Sequence, residues 1–284
     1  MPHVILLGAG FVGSTVRILL EEHATVDVFD LPTHPVLAER GPEATALLRD
    51  AIGSTGATAV VNTSGLLRGT EEIMTTANVS WPTWLVREVV AGTGVRFVHL
   101  GSAAEYGDPG SGDPIPETAV PHPSGLYGET KWAGSAAVLA ARESGLDAVV
   151  ARGFNLVGPH LAPVSPLHQF LTDVTALPPG GGVVELWDPS TVRDFILLED
   201  LALGVARLAL APAVPDIVNL CTGIGVSFAA IVEAMAARQG KSVEIRSLDR
   251  RGIPVVIGDP SRLASVCDVH PRMSAGLIAE RSGT

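Results

Sequence analysis

The stretch "HVILLGAGFVGSTVRILLEEH", residues 3–23, constrains the fold more than any other part of the chain. A short apolar run, "HVILL", reads as a strand, and it turns directly into glycines. Gly8, Gly10 and Gly13 follow with G-x-G-x-x-G spacing, and Val12, Val16, Leu19 and Leu20 then recur at helical intervals. "TVDVFD" supplies a second strand that ends at Asp30. A glycine loop between strand and helix can turn tightly and let an anion approach the backbone. Free N–H groups and the helix dipole then favour a pyrophosphate there. An acid some 20 residues on can accept the ribose hydroxyls of an adenosine and would repel a 2′-phosphate. Gly8, Gly10, Phe11, Val12, Gly13 and Asp30 are therefore expected to hold NAD, with NADP less favoured. The bland alternative is a plain strand–helix turn, which alanine- and glycine-rich chains also produce.

The same rhythm continues. "TAVVNTSG", "VRFVHLGS" and "DAVVARGFN" read as further apolar strands, separated by helical patterns in "EATALLRDAIG", "NVSWPTWLVREVVAGTG" and "YGETKWAGSAAVLAARESG". Alternating strands and helices with apolar strands predict α/β architecture, a Rossmann-type doubly wound parallel sheet covered on both faces. One helix is expected from about Trp81. No clear strand is visible between Asp30 and Val60. After Asn155 the pattern breaks into a Pro- and Gly-rich stretch. The expected division is a dinucleotide-binding domain over 1–155, with 190–222 returning to it, and a small C-terminal substrate-binding lobe from 156–189 and 223–284.

Composition removes several classes of function. The formal net charge is -11, which argues against nucleic acid or an anionic membrane surface as partner. No apolar run is long enough for a membrane span, and the N-terminus lacks a basic signal region, so a cytoplasmic location is expected. The two cysteines, Cys221 and Cys267, sit in apolar settings and suit a reduced compartment. The eight histidines form no ligand pattern, so no metal is expected.

"SGLYGETKWAG" carries one of only two tyrosines, Tyr127, four residues before one of only two lysines, Lys131. On a helix the two share a face one turn apart. A nearby ammonium stabilises a phenolate, so Lys131 is expected to lower the Tyr127 pKa and suit it to proton transfer. The alternative is an ordinary surface contact. Ser102 closes "FVHLGS" at the expected C-terminal edge of the sheet, where open α/β sheets bind ligands.

These segments resemble the extended short-chain dehydrogenase/reductases, the NAD-dependent epimerase/dehydratase family. "GAGFVG" is similar to its cofactor loop, "GSAAEYG" to its serine segment and "HPSGLYGETK" to its Tyr-x-x-x-Lys helix. "ARGFNLVGP", "VRDFILLEDLA", "VNLCTG" and "IPVVIGDPSRL" resemble later landmarks in the same order. The resemblance implies catalytic roles for Ser102, Tyr127 and Lys131, with Lys131 also on the nicotinamide ribose. It implies substrate contacts for Ser102 and Asn155, a substrate-diphosphate contact for Arg193, and a second phosphate ligand in Arg250 or Arg251. A local ion pair of Arg193 with Asp194 or Glu199 is the alternative. It further implies a homodimer formed through helices near Trp81–Val90 and Tyr127–Ala141, with Gly134, Ala136, Ala137 and Ala140 allowing close approach. Two departures bear on the cofactor. Asn62-Thr63-Ser64-Gly65 replaces the usual His-Leu-Ala-Ala, and the missing third strand weakens the adenine end.

Ala103 and Ala104 follow Ser102 where sugar dehydratases of this kind place acids, and no cysteine lies between Ser102 and Tyr127. An alkyl side chain moves no proton, so dehydration through that pair is not expected. "GSAAEYG", "RGFNLVGP" and "IPVVIGDPSRL" resemble most the branch that reduces 4-keto-6-deoxy nucleotide sugars, which implies an NAD(P)H-dependent ketoreductase acting on such a sugar. A nucleotide-sugar 4-epimerase, a reductase of a polyketide-type ketone and a non-catalytic NAD-binding regulator stay open as alternatives.

Overall fold

The computed structural model describes residues 1–31, 33–159, 165–250 and 252–282. Its centre is a parallel sheet in the order β2-β1-β3-β4-β5-β9. The strands are β1 (His3–Leu7), β2 (Thr25–Phe29), β3 (Ala59–Asn62), β4 (Arg96–Ser102), β5 (Ala148–Gly153) and β9 (Ile217–Leu220). Alternate residues of β1 face opposite layers. Val4 and Leu6 join the core that includes Val16 and Leu20 of helix α1 (Phe11–Glu21) and Leu201 and Val205 of α7 (Leu198–Leu210). Ile5 and Leu7 join the core that includes Leu48 of α2 (Pro42–Thr55), Trp84 and Val138. Both faces are covered, so the strands can be apolar throughout. After β1 the chain moves one way to β2 and then returns past β1 to β3. The crevice of a doubly wound sheet opens at such a reversal.

Between β2 and β3 the described residues form only a short turn, Pro35–Ala38, and α2. β2 is thus the edge strand, as the unbroken gap in apolar patterning implied. The helix expected from Trp81 begins earlier. Thr70 caps α3 (Glu71–Thr75) by accepting from the N–H of Ile73, with Glu71 and Glu72 in the first turn. It then runs through a π turn at Thr76–Ser80, α4 (Trp81–Trp84) and a second π turn at Leu85–Val89. Pro82 has no N–H to donate, and the wider turns on either side absorb that defect.

Helix α5 (Gly125–Glu143) packs closely on this run. A Cβ at Gly134 would lie 2.0 Å from the carbonyl oxygen of Asn78, so Gly134 serves packing within the chain.

The second lobe gathers β6 (Asn155–Val157), β8 (Val192–Leu197), β10 (Gly225–Ser227) and β12 (Val255–Val256) into one sheet. β7 (Gly182–Leu186) and β11 (Val243–Ser247) form another. Helices α6 (Pro166–Ala176), α8 (Phe228–Arg238) and α10 (Ala275–Arg281) close a core around Phe170, Phe195, Ile231 and Met235. Two segments depart from the expected division. β8 belongs to the small sheet, and α9 (Ser261–Cys267) returns Leu263 and Cys267 to the large core. Among the described residues no helix is long and apolar enough to cross a membrane.

Candidate active site

The glycine loop meets the crevice with three different demands. Gly8 has φ +94, and a Cβ there would lie 2.6 Å from Ser64 Oγ. At Gly13 a Cβ would lie 2.0 Å from the Gly8 carbonyl oxygen and 2.7 Å from Thr63 Oγ1. Those two glycines are required by the chain's own packing. At Gly10 no protein atom stands within 4 Å of the Cβ position, so that side of the loop is open. Gly10 also starts α1 without any side-chain cap, which leaves first-turn N–H groups directed at the opening. A pyrophosphate fits this cradle. Phe11 is partly exposed beside Gly158, and Val12 packs inward on the core.

Asp30 follows β2 directly. Its Oδ1 accepts from the Thr33 N–H at 3.0 Å and from Thr33 Oγ1 at 2.5 Å. These bonds hold the carboxyl below its ordinary pKa, so it presents a fixed negative charge. The polar segment after β3 fills the place beside the loop. Thr63 Oγ1 donates to the carbonyl of Gly8 at 3.0 Å and Ser64 Oγ to that of Leu7 at 3.2 Å. Gly65 then passes above Lys131, whose Nζ would stand 3.7 Å from a Cβ at that position.

Ser102, Tyr127 and Lys131 converge at the end of β4. A Cβ at Gly128 would lie 2.6 Å from the Ala104 carbonyl oxygen, so the start of α5 is pressed onto the turn Ala103–Glu105. This brings the Tyr127 phenol next to Ser102, whose side chain acts to lower its pKa. Lys131 is 4% exposed and donates from Nζ to the carbonyl of Leu100 at 2.7 Å. Burial raises the phenol's pKa, with the Ser102 side chain acting against it and the Glu105 charge adding to it. The expected lowering of the phenol by Lys131 is therefore not what the geometry gives. The ammonium is drawn to the strand end, and burial dominates at the phenol. The phenol is protonated at neutral pH, the state that can donate.

The substrate-side residues are more committed to the fold than expected. Asn155 Nδ2 donates to the carbonyl of Asp194 at 2.7 Å, which ties β6 to β8. The Arg193 guanidinium donates to the carbonyls of Val192 at 2.8 Å, Ile253 at 2.9 Å and Pro254 at 3.4 Å. Its alternative as a local ion pair fails. Asp194 accepts instead from Thr222, Gly223 and Gly258, and Glu199 is paired with Arg281. Arg250 lies over the Trp187 ring at 5.9 Å, and Arg251 lies outside the described residues. Among the described residues no cluster of His, Cys, Asp or Glu could hold a metal.

The family model described as the NAD dependent epimerase/dehydratase family matches residues 4–221. The chain belongs to that family. It is 33% identical over 191 residues to a dTDP-6-deoxy-L-talose 4-dehydrogenase (NAD(P)(+)) of Kitasatospora kifunensis, a match covering 66% of this chain and 60% of that protein. Over 87 residues it is 33% identical to a GDP-6-deoxy-D-talose 4-dehydrogenase of Aggregatibacter actinomycetemcomitans, covering 29% of this chain and 30% of that one. The chain thus spans less than two thirds of the length of either curated relative, 60% of the first and 30% of the second. Among solved structures, RMD from Pseudomonas aeruginosa complexed with NADPH superposes with a TM-score of 0.81 at 22% identity, over 99% of this chain and 96% of that one. That likeness confirms the Rossmann-type fold.

That family is described as NAD dependent, and its model spans the glycine loop, Ser102, Tyr127 and Lys131. Several residues around the converging trio escaped the sequence. Glu105 accepts from the Ser102 N–H at 2.8 Å and from Arg152 Nε at 2.8 Å, and both charged side chains are fully buried. The signal was present as the S-x-x-E spacing of Ser102 and Glu105, which forms a capping box here. His99 is buried with its Nδ1 accepting from Asn62 Nδ2 at 3.0 Å, because Asn62 Oδ1 is taken by Trp81 Nε1 at 3.1 Å. Burial and the Lys131 charge hold that imidazole well below its ordinary pKa.

Replacing Tyr127 by Phe keeps the ring and removes the donor. Turnover should fall by on the order of a hundredfold or more, with cofactor binding retained. Steady-state kinetics and a cofactor titration on the variant check this, and wild-type turnover would reject Tyr127 as the proton donor.

Proposed function

We propose that this chain reduces the 4-keto group of a nucleotide-linked 6-deoxyhexose. The observation that carries the reading is the state of the acids and the phenol around Ser102. Ala103 and Ala104 carry no proton, and Glu105, the next residue, is sealed behind the strand on Ser102, Ser135 and Arg152. No acid in that segment reaches a substrate to remove a proton from a sugar carbon, so elimination lacks its base. A protonated phenol beside Ser102 suits the opposite task, donation to a carbonyl oxygen. The curated relatives are named as 4-dehydrogenases of 6-deoxytaloses, which is the same interconversion written in reverse.

A reduced nicotinamide, when bound, supplies the hydride that forms the new C–H bond. Ser102 donates a hydrogen bond to the keto oxygen and holds it beside Tyr127. Tyr127 gives its proton to that oxygen as the C=O bond becomes C–O–H. Lys131 keeps positive charge beneath the site and offsets the phenolate left behind. Arg193, Asn155 and the Trp187–Arg250 pair are proposed to frame the nucleotide end.

The direct test incubates the protein with NADH and a dTDP- or GDP-linked 4-keto-6-deoxyhexose. NADH should be consumed in step with a product two hydrogens heavier than the substrate. An isomer of the starting sugar nucleotide, formed without net NADH loss, would assign the chain as an epimerase instead.

The same reading favours NAD over NADP, because an ionised carboxylate just after β2 would repel a 2′-phosphate. Asp30→Asn should improve the ratio of kcat/KM for NADPH to that for NADH by on the order of tenfold, since it removes a repulsion. An unchanged ratio would place the discrimination elsewhere.

A homodimer is part of the proposal. Val86, Arg87, Ala137, Ala140 and Ala141 line an open groove of about 860 Å³ between the end of the 71–89 helical run and α5. Small residues there would admit the same helices of a second copy. Sedimentation equilibrium should return twice the mass of one chain, and a monomer at micromolar concentration would remove this element.

A further inference from the structure

Ser102 stands on a strand and Lys131 on a helix, so something must fix one relative to the other. Two bonds do so. Lys131 Nζ reaches the carbonyl of Leu100, two residues before Ser102. Ser135, one turn beyond Lys131 on α5, donates from Oγ to Glu105 Oε1 at 2.8 Å. That same oxygen accepts the N–H of Ser102 at 2.8 Å. One carboxylate oxygen is thus shared between the strand end and the helix.

The other oxygen, Oε2, takes Arg152 Nε at 2.8 Å. Arg152 in turn lies over the Tyr106 ring at 4.4 Å and the Trp132 ring at 5.6 Å. Tyr106 Oη donates to Asn219 Oδ1 at 2.7 Å. The carboxylate has little room to move. A Cβ at Gly101 would stand 2.7 Å from Glu105 Oε1 and 2.8 Å from a methyl of Val150. Such a group cannot touch a substrate, yet it holds two groups that would.

We propose that Glu105 is the positioning residue of this site, joining Ser102 to the Lys131 face of α5 and serving as the shared counter-charge of Arg152 and Lys131. The proposal rests on Ser102, Tyr127 and Lys131 being the reacting groups, whatever the substrate. The charged and titratable groups around Lys131 are few. Glu105 follows β4, His99 lies on β4 with its imidazole neutral, Arg152 lies on β5 and Tyr127 on α5 itself. On the helical run 71–89, Glu71, Glu72, Arg87 and Glu88 are exposed. Burial draws the ammonium down and Glu105 holds it up. A carboxylate that carries both geometry and charge can be taken apart by two substitutions.

Glu105→Gln keeps the acceptor oxygen and removes the charge. Ser135→Ala keeps the charge and removes the bond to α5. The chain has only two lysines, so 13Cε-lysine labelling yields two resonances, and a Lys241→Arg variant assigns them. In Glu105→Gln the Lys131 resonance should titrate at lower pH than in the wild type, with or without substrate present. The alkaline limb of kcat should move the same way, and KM for the cofactor should hold. In Ser135→Ala, kcat should fall on the order of tenfold through misplacement, with the alkaline limb unmoved.

A Lys131 titration and pH profile in Glu105→Gln that match the wild type overturn the proposal. If Glu105→Gln does not fold, Ser135→Ala decides: wild-type kcat overturns the proposal, and a reduced kcat with an unmoved limb upholds it. The Tyr127→Phe assay tests the underlying trio separately. A normal Tyr127→Phe enzyme with a shifted Lys131 titration would therefore fault the trio and leave the Glu105 charge effect standing.

Discussion

Lys131 takes a positive charge out of water and sets it against the end of the central strand, 4% exposed. Desolvating an ammonium costs several kcal/mol even after relaxation, so an isolated lysine there would lose its proton. The structure answers with the carbonyl of Leu100 at 2.7 Å and the nearby Glu105 carboxylate. That carboxylate is itself buried and must be satisfied, which brings in Arg152. The arginine's Nη1 and Nη2 have no hydrogen-bond partner, and its guanidinium lies over two aromatic rings instead. A buried pair of this kind adds little net stability but costs about 3–5 kcal/mol when one partner is removed. One buried charge is thus linked through Glu105, Arg152 and Tyr106 to Asn219 on β9.

The glycines near the site follow from the same crowding. Gly101, Gly128 and Gly134 leave no room for a Cβ because α5 is drawn tightly against β4 and the helical run 71–89. The π turn at Thr76–Ser80 serves that approach too. It places Asn78 where its amide accepts the Leu66 N–H at 2.8 Å and donates to the Leu66 carbonyl at 2.8 Å. The loop over Lys131 is thereby pinned from the helix side, and the polar Thr63 and Ser64 pin it to the glycine loop. The replacement of the usual residues at 62–65 is a different set of bonds for the same bridging position.

Much of this was legible in order along the chain. The loop at Gly8–Gly13, the acid at Asp30, and the approach of Tyr127 to Ser102 follow from spacing and strand ends, which are local properties. The gap between Asp30 and Val60 is also visible as an absence of apolar alternation. What the sequence hides is pairing at a distance. Glu105 and Arg152 read as two unrelated charges, 47 positions apart, until β4 and β5 place them side by side. The segment 190–222 reads as returning to the dinucleotide-binding domain, but its strand β8 pairs with β6, β10 and β12 from three separate segments. The fate of Arg193 depends on the carbonyls of Ile253 and Pro254, some 60 residues on, which no local pattern encodes. Nor does an i,i+4 spacing say which of two neighbours an ammonium will choose.

That choice bears on how the proposed proton transfer would run. If Lys131 lay directly on the phenol, the phenolate would be favoured and Tyr127 would be prepared to take a proton from a carbinol. Instead burial keeps the phenol neutral, Ser102 engages it, and the ammonium is held one layer below by the strand end and Glu105. In this arrangement the positive charge gains most once the proton has left Tyr127, because only then does a phenolate exist for it to stabilise. The interaction is thus stronger along the reaction than before it, which is the condition for lowering a barrier rather than merely tightening binding. A site so arranged is charged with its proton at neutral pH and releases it as negative charge develops on the substrate oxygen. That is the sequence of events the proposed carbonyl reduction would follow, and its reverse would follow the same groups backwards.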